Sequence, residues 1–170
     1  ATAIFVTHSR EEAILMGDVV AVMNQGQLEQ VDTPQRIFHD PATRFVASFM
    51  GTADFLPAHL SMGTLSTELG STPAPEGLTA DNHQIELMVR PDDVAIRPSD
   101  LGLGVVIERT FQGAFFLYRV VLPSSSVVHC LAPHTEERAV GIRVDVCLNG
   151  GHPPLCFVDG RRFDRDRDGV

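Results

Sequence analysis

The sequence predicts a mainly β protein: a small barrel preceded by a truncated α/β fragment. Three observations carry this. From Thr52 onward the chain breaks into short apolar runs separated by Gly, Pro and Asn turns, and many short strands with such turns favour a barrel, whose closure removes exposed edges. Residues 1–51 instead alternate apolar runs with helix-start and helix-stop signals. The opening run Ile4-Phe5-Val6 is continuously apolar, as in a strand covered on both faces of a sheet. A lone strand of that kind buries nothing, so the chain is expected to be the back part of a larger protein, starting just before a functional histidine, His8. The expected division is 1–51 for the α/β remnant, 52–160 for the barrel and 161–170 for a solvated tail with alternating Arg and Asp.

In the first part, Ser9 can cap a helix, with Glu12 three residues later to close a capping box. Glu11 and Glu12 suit the positive end of that helix, and Gly17 ends it where a left-handed φ is easy. Val19 to Met23 is a second apolar run, expected as a buried strand. Asn24-Gln25-Gly26 is a hairpin turn, and Gln27 to Val31 returns as the partner. Thr33-Pro34 has the form of an N-cap followed by an N1 proline, and Asp40-Pro41 repeats it. The second opens a helix with Phe45, Val46, Phe49 and Met50 on one face, stopped by Gly51.

In the second part, Gln84 to Val89 places Ile85, Leu87 and Val89 on one face. Arg90-Pro91-Asp92-Asp93 breaks it and Val94 to Arg97 follows. Leu103 to Phe111 and Ala114 to Leu122 flank Gln112-Gly113 as a long hairpin. Ser126 to Leu131, Ile142 to Leu148 and Leu155 to Val158 complete the strands. Ser71 to Asn82, rich in Pro, Gly, Ser and Thr, reads as a loop.

Composition narrows the function. Of 170 residues, 44% are hydrophobic, and no apolar run approaches a membrane span of about 20 residues. All 13 basic residues are Arg, and the formal net charge of −9 argues against a nucleic-acid surface, which needs clustered positive charge. The 3 cysteines, Cys130, Cys147 and Cys156, lack metal-site spacing and read as reduced thiols in a cytoplasmic protein.

Four segments in order, Thr7-His8-Ser9-Arg10-Glu11-Glu12-Ala13, Val20 to Gly26, Gln30-Val31-Asp32-Thr33-Pro34 and Pro41 to Gly51, resemble the end of an ABC-transporter ATPase domain. In that family the histidine after the strand is the switch residue that contacts the ATP γ-phosphate. The resemblance gives this role to His8, whose imidazole can donate a hydrogen bond to the transferred phosphoryl group and help place the attacking water. The family usually has Asp-Gln after the histidine, where this chain has Ser9-Arg10. The sequence has no G-x-x-x-x-G-K-[ST] loop, no apolar strand ending in Asp-Glu and no ABC signature loop; Gly102-Leu103-Gly104 is too short and lacks Lys. The chain alone is therefore expected to be inactive, with no cofactor or metal of its own, and the resemblance implies ATP and Mg²⁺ in the parent protein.

The second half resembles the OB-like regulatory domain of importer ATPases (the TOBE type): Phe49 to Pro57 at the junction, Val89-Arg90-Pro91-Asp92-Asp93-Val94, and Val106 to Gly113. Ala53-Asp54-Phe55-Leu56-Pro57 leans towards importers of iron(III), with polyamine importers as near relatives. The resemblance implies a homodimer that works with transmembrane permease subunits on the inner face of the plasma membrane, together with an upstream nucleotide-binding region and no nucleic acid. The competing reading is an independent OB-like module that binds a small oxyanion, metal ion or oligonucleotide.

Among other candidates, Arg90 with Asp92 and Asp93 reads as an ion pair holding the barrel, and the two aspartates as Fe³⁺ ligands is the alternative. His129, His134 and His152 lack ligand spacing. Phe111, Phe115, Phe116 and Tyr118 read as core or dimer interface. Ile4, Val6, Val19, Val20 and Val22 are expected to hide by dimerisation, strand exchange or folding onto the barrel.

Overall fold

A computed structural model describes residues 2–79, 84–150 and 153–163. The chain divides into two compact units, residues 1–52 with 160–162, and residues 53–159 with 163–170.

The first unit holds α1 (Arg10–Met16), β1 (Val20–Asn24), β2 (Gln27–Asp32), α2 (Pro34–His39), α3 (Arg44–Met50) and the short β14 (Arg161–Arg162). β1 and β2 form an antiparallel ribbon with Asn24 opposite Gln27. Its two-residue turn has Gln25 at φ 49° and Gly26 at φ 80°, the double left-handed geometry that matches strand twist. Thr33 caps α2, its side chain accepting from the Arg36 N–H, and Pro34 takes the first turn. The small core is Val22, Ile37, Val46 and Met50, with Val20 and Phe38 packed against it.

Ile4-Phe5-Val6 forms no strand; Ile4 is 93% and Val6 90% exposed, because a doubly covered strand exists only between neighbours and none lies beside it among the described residues. The Val19 to Met23 run does form β1, but only Val22 is buried, while Val19 and Met23 face solvent. Gly17 is not left-handed; its φ is −90°. It is needed for space, since a Cβ there would sit 2.9 Å from Ala13 O and 3.2 Å from Val20 Cγ2. α3 is capped by Thr43, not Asp40, which is the C-cap of α2. The helix buries Val46, Ala47 and Met50, whereas Phe45 and Phe49 stack on each other 5.8 Å apart at its exposed side. The start of the supposed tail is held: Thr43 and Arg161 form a β-bridge, and Arg162 N–H donates to Ala42 O at 3.0 Å. Residues 164–170 lie outside the described residues.

The second unit is mainly β, with an OB-like arrangement. Its strands are β3 (Asp54–Pro57), β4 (His59–Ser61), β5 (Thr64–Thr67), β6 (Gly70–Pro73), β7 (Ile85–Val89), β8 (Val94–Pro98), β9 (Gly104–Phe111), β10 (Phe115–Val121), β11 (Val127–Pro133), β12 (Arg143–Leu148) and β13 (Leu155–Val158). Five of them form a sheet ordered β11-β10-β9-β12-β8. Its two edges meet where Leu131 N–H donates to Pro91 O at 2.8 Å and Cys130 Sγ donates to Val94 O at 3.0 Å. β7 lies between β3 and β13, antiparallel to both.

The main core gathers Leu56, Val89, Val94, Ile96, Val106, Tyr118, Val120, Val128, Cys130 and Val144, with Leu69 reaching in from the β5–β6 turn. A second cluster, Leu65, Ile85, Leu87 and Cys156, lies under the β4-β5-β6 sheet. That sheet was not expected, and β6 takes the first residues of the supposed loop from Ser71; positions 80–82 of that loop lie outside the described residues. β7 buries all five of its residues rather than one face. In the aromatic cluster, Tyr118 is fully buried and Phe116 packs against the core, while Phe111 and Phe115 are exposed at the hairpin end.

Candidate functional site

The segment Thr7 to Glu12 is a short polar bend leading into α1. Ser9 caps the helix, its Oγ accepting the Glu12 N–H at 3.3 Å. Glu12 does not reach back to the Ser9 N–H as a capping box requires. Thr7 stands between them: its hydroxyl accepts the Ser9 N–H at 2.9 Å and donates to Glu12 Oε2 at 2.5 Å. Glu11 pairs with Arg10 Nε at 2.7 Å and accepts from Ser9 Oγ at 3.2 Å. The Arg10 side-chain hydrogen bond is the main cause holding the Glu11 carboxyl below the usual range. His8 is exposed at the bend, between two hydrogen-bonded neighbours. Thr7 is the member that local spacing did not reveal, since the helix-start pattern begins only at Ser9.

The turn after β7 is built for structure. Arg90 is 5% exposed. Asp93 Oδ2 accepts the Arg90 N–H at 2.9 Å, and Asp93 N–H donates to Arg90 O at 2.9 Å. Asn149 N–H donates to Asp93 O at 2.6 Å, joining β12 to the turn. Burial lowers the guanidinium pKa, and the charges of Asp92 and Asp93 act against that. A guanidinium buried beside these aspartates opposes cation binding, and among the described residues no group of three or more His, Cys, Asp or Glu side chains could hold a metal ion.

His129 is half-buried and paired with Asp54. His134 is exposed, its N–H on Ala114 O at 3.0 Å. His152 lies outside the described residues. Cys130 and Cys156 are buried, which pushes both thiols up to about 11, and Cys147 is exposed.

A family model with the description TOBE domain matches residues 87–153, so the second unit carries that domain. The chain is 36% identical over 160 residues to the spermidine/putrescine import ATP-binding protein of Ruegeria pomeroyi, covering 88% of this chain and 44% of that protein. It is 40% identical over 97 residues to a sulfate/thiosulfate import ATP-binding protein of Chromobacterium violaceum, covering 57% of this chain and 26% of that one. To the Fe(3+) ions import ATP-binding protein of Photorhabdus laumondii it is 36% identical over 95 residues, covering 56% of this chain and 27% of that one. The chain matches the C-terminal part of ABC importer ATP-binding proteins. It spans less than half the length of these curated relatives.

Proposed function

We propose that this chain is the C-terminal regulatory and dimerisation part of the ATP-binding subunit of an ABC importer, whose longer form drives solute uptake by hydrolysing ATP. The carrying observation is that similarity to an import ATP-binding protein covers 88% of this chain, more than the whole second unit, residues 53–159 with 163–170, contains. It therefore takes in chain outside the barrel, which an independent OB-like module would not need.

In this reading His8 faces the γ-phosphate of ATP held by residues upstream, and contributes a hydrogen bond to the transferred group. ATP and Mg²⁺ bind in the parent protein. The residues of this chain supply the switch histidine and no phosphate cradle. The parent acts as a homodimer with transmembrane permease subunits at the cytoplasmic face of the membrane, and without nucleic acid. Among the described residues no helix is long and apolar enough to cross a membrane. The apolar side chains exposed in the first unit, Ile4, Val6 and Val19, are covered by the upstream region or a second copy.

Iron(III) is the finer reading of the solute, taken from Ala53 to Pro57. Three relatives named for three different solutes make an uptake comparison of Fe³⁺, spermidine and sulfate the deciding assay for it. The class of protein is tested by His8→Ala in the longer protein. Loss of a hydrogen bond to the reacting phosphoryl group lowers ATP turnover by about 100-fold. Turnover unchanged by that substitution overturns the switch assignment.

A further inference from the structure

We propose that Glu12 is a positioning residue for His8, acting with the Thr7 hydroxyl to close a hydrogen-bonded ring around the switch bend. This role rests on the reading of His8 as the nucleotide-facing residue.

The ring has three members and one passenger. Thr7 Oγ1 donates to Glu12 Oε2 at 2.5 Å, the short range of a hydroxyl bonded to a carboxylate. The same oxygen accepts the Ser9 N–H at 2.9 Å, and Ser9 Oγ accepts the Glu12 N–H at 3.3 Å. An ordinary capping box ties residues N-cap and N3 to each other. Here Thr7 is inserted into that box, so the closed path runs from Thr7 through Ser9 to Glu12 and encloses the His8 backbone. Both neighbours of His8 are thereby fixed to the first turn of α1, while the imidazole stays exposed. Glu11 cannot take this part, since its carboxylate is engaged by Arg10 Nε and Ser9 Oγ.

A group that must meet a phosphoryl oxygen gains rate from being held, and misplacement by about 1 Å costs on the order of 100-fold. Anchoring both flanking residues to one helix end is an inexpensive way to hold it, because the helix cap is formed in any case. In this role Thr7 and Glu12 each act through His8.

The experiment compares kcat and KM for ATP in the longer protein carrying wild-type, His8→Ala, Glu12→Ala, Glu12→Gln, Thr7→Val and Thr7→Ser forms. Glu12→Ala and Thr7→Val each lower kcat about tenfold, with KM changed by less than about twofold. Glu12→Gln and Thr7→Ser restore most of the rate, because each keeps a hydroxyl facing a carbonyl oxygen. The Glu12→Ala, Thr7→Val double variant is no slower than Thr7→Val alone, since losing the Thr7 hydroxyl already removes its bond to Glu12. Amide exchange of Ser9, followed beside that of Ile37 and Val46, separates a loosened bend from an unfolded unit. Wild-type kcat in Glu12→Ala while His8→Ala is inactive overturns the role of Glu12. Wild-type kcat in His8→Ala overturns the reading of His8 itself.

Discussion

The carboxylate of Asp54 takes two hydrogen bonds from His129: the backbone N–H reaches Oδ2 at 2.6 Å, and ring Nδ1 reaches Oδ1 at 2.9 Å. A carboxylate has no proton to give, so Nδ1 carries the hydrogen of this bond. The pair ties the first residue of β3 to the middle of β11. Across the sheet, His129 lies opposite Arg119, and Arg119 opposite Glu108, to which it donates at 2.6 Å. One rung thus alternates acid, base, imidazole and acid over four strands.

Removing the carboxylate leaves a half-buried N–H without its acceptor. Asp54→Ala is expected to cost about 2 kcal/mol, the usual penalty of an orphaned donor. Asp54→Asn keeps one acceptor oxygen and costs about half as much. Urea unfolding, with midpoints compared at constant slope, measures both; equal stability of wild-type and alanine forms would refute the tie.

This pair also marks what the sequence could not reveal. Two residues 75 positions apart carry no local signal of their meeting. Turns and caps were readable because their causes are local: Gly26 supplies left-handed geometry, and Thr33-Pro34 supplies a cap and a pre-set φ. The Asp40-Pro41 reading failed because Thr43 offers an equally good cap three residues later. Ile4-Phe5-Val6 failed because burial of a central strand belongs to its neighbours, not to its own composition. The β4-β5-β6 sheet escaped because its strands are largely Ser and Thr, with only Leu60 and Leu65 to show alternation. Of the candidate site, Ser9 was legible as a helix cap from local spacing and His8 stood out only through the family resemblance, whereas the Thr7 bridge to Glu12 needed coordinates.

Two glycines separate two reasons for glycine. A Cβ on Gly102 would lie 2.3 Å from Val144 C and 2.4 Å from Val144 O, both backbone atoms of β12. Gly113 has open space around it but φ +75°. Gly102→Ala must therefore displace a paired strand and is expected to cost about 3 kcal/mol or more. Gly113→Ala only meets left-handed strain of about 1 kcal/mol. Thermal unfolding of the two variants should rank them in that order, and the reverse order would contradict the packing of the 99–103 turn on β12.

Tyr118 anchors the connection between β11 and β12. Its ring is fully buried, and its hydroxyl donates to Glu136 O at 3.2 Å while accepting the Arg138 N–H at 2.9 Å. The Arg138 guanidinium carbon lies 5.8 Å from the ring centre. Tyr118→Phe keeps the packing but orphans the Arg138 N–H, for a loss of about 1–2 kcal/mol. Amide exchange at Arg138 should accelerate in this variant while exchange at Val120 does not, and uniform acceleration would mean the hydroxyl supports the whole sheet.

The buried thiols predict a fall in stability at alkaline pH. Burial raises Cys130 and Cys156 from 9.0 to about 11. Above pH 9 the unfolded chain loses these protons while the folded chain keeps them, so the unfolded state binds fewer protons and stability declines as pH rises. The contribution is complete below pH 9 and gone once pH passes about 11. Urea midpoints measured at steps across that window should drop for the wild-type chain. The Cys130→Ala, Cys156→Ala form starts lower, because the side chains are truncated, yet its slope with pH should be flatter. Alkylation gives an independent check: exposed Cys147 reacts in the folded chain, and the other two react only as fast as the β unit opens. Rapid labelling of all three thiols at pH 8 in native conditions would show that the interior of the β unit is open to solvent and that neither shift exists.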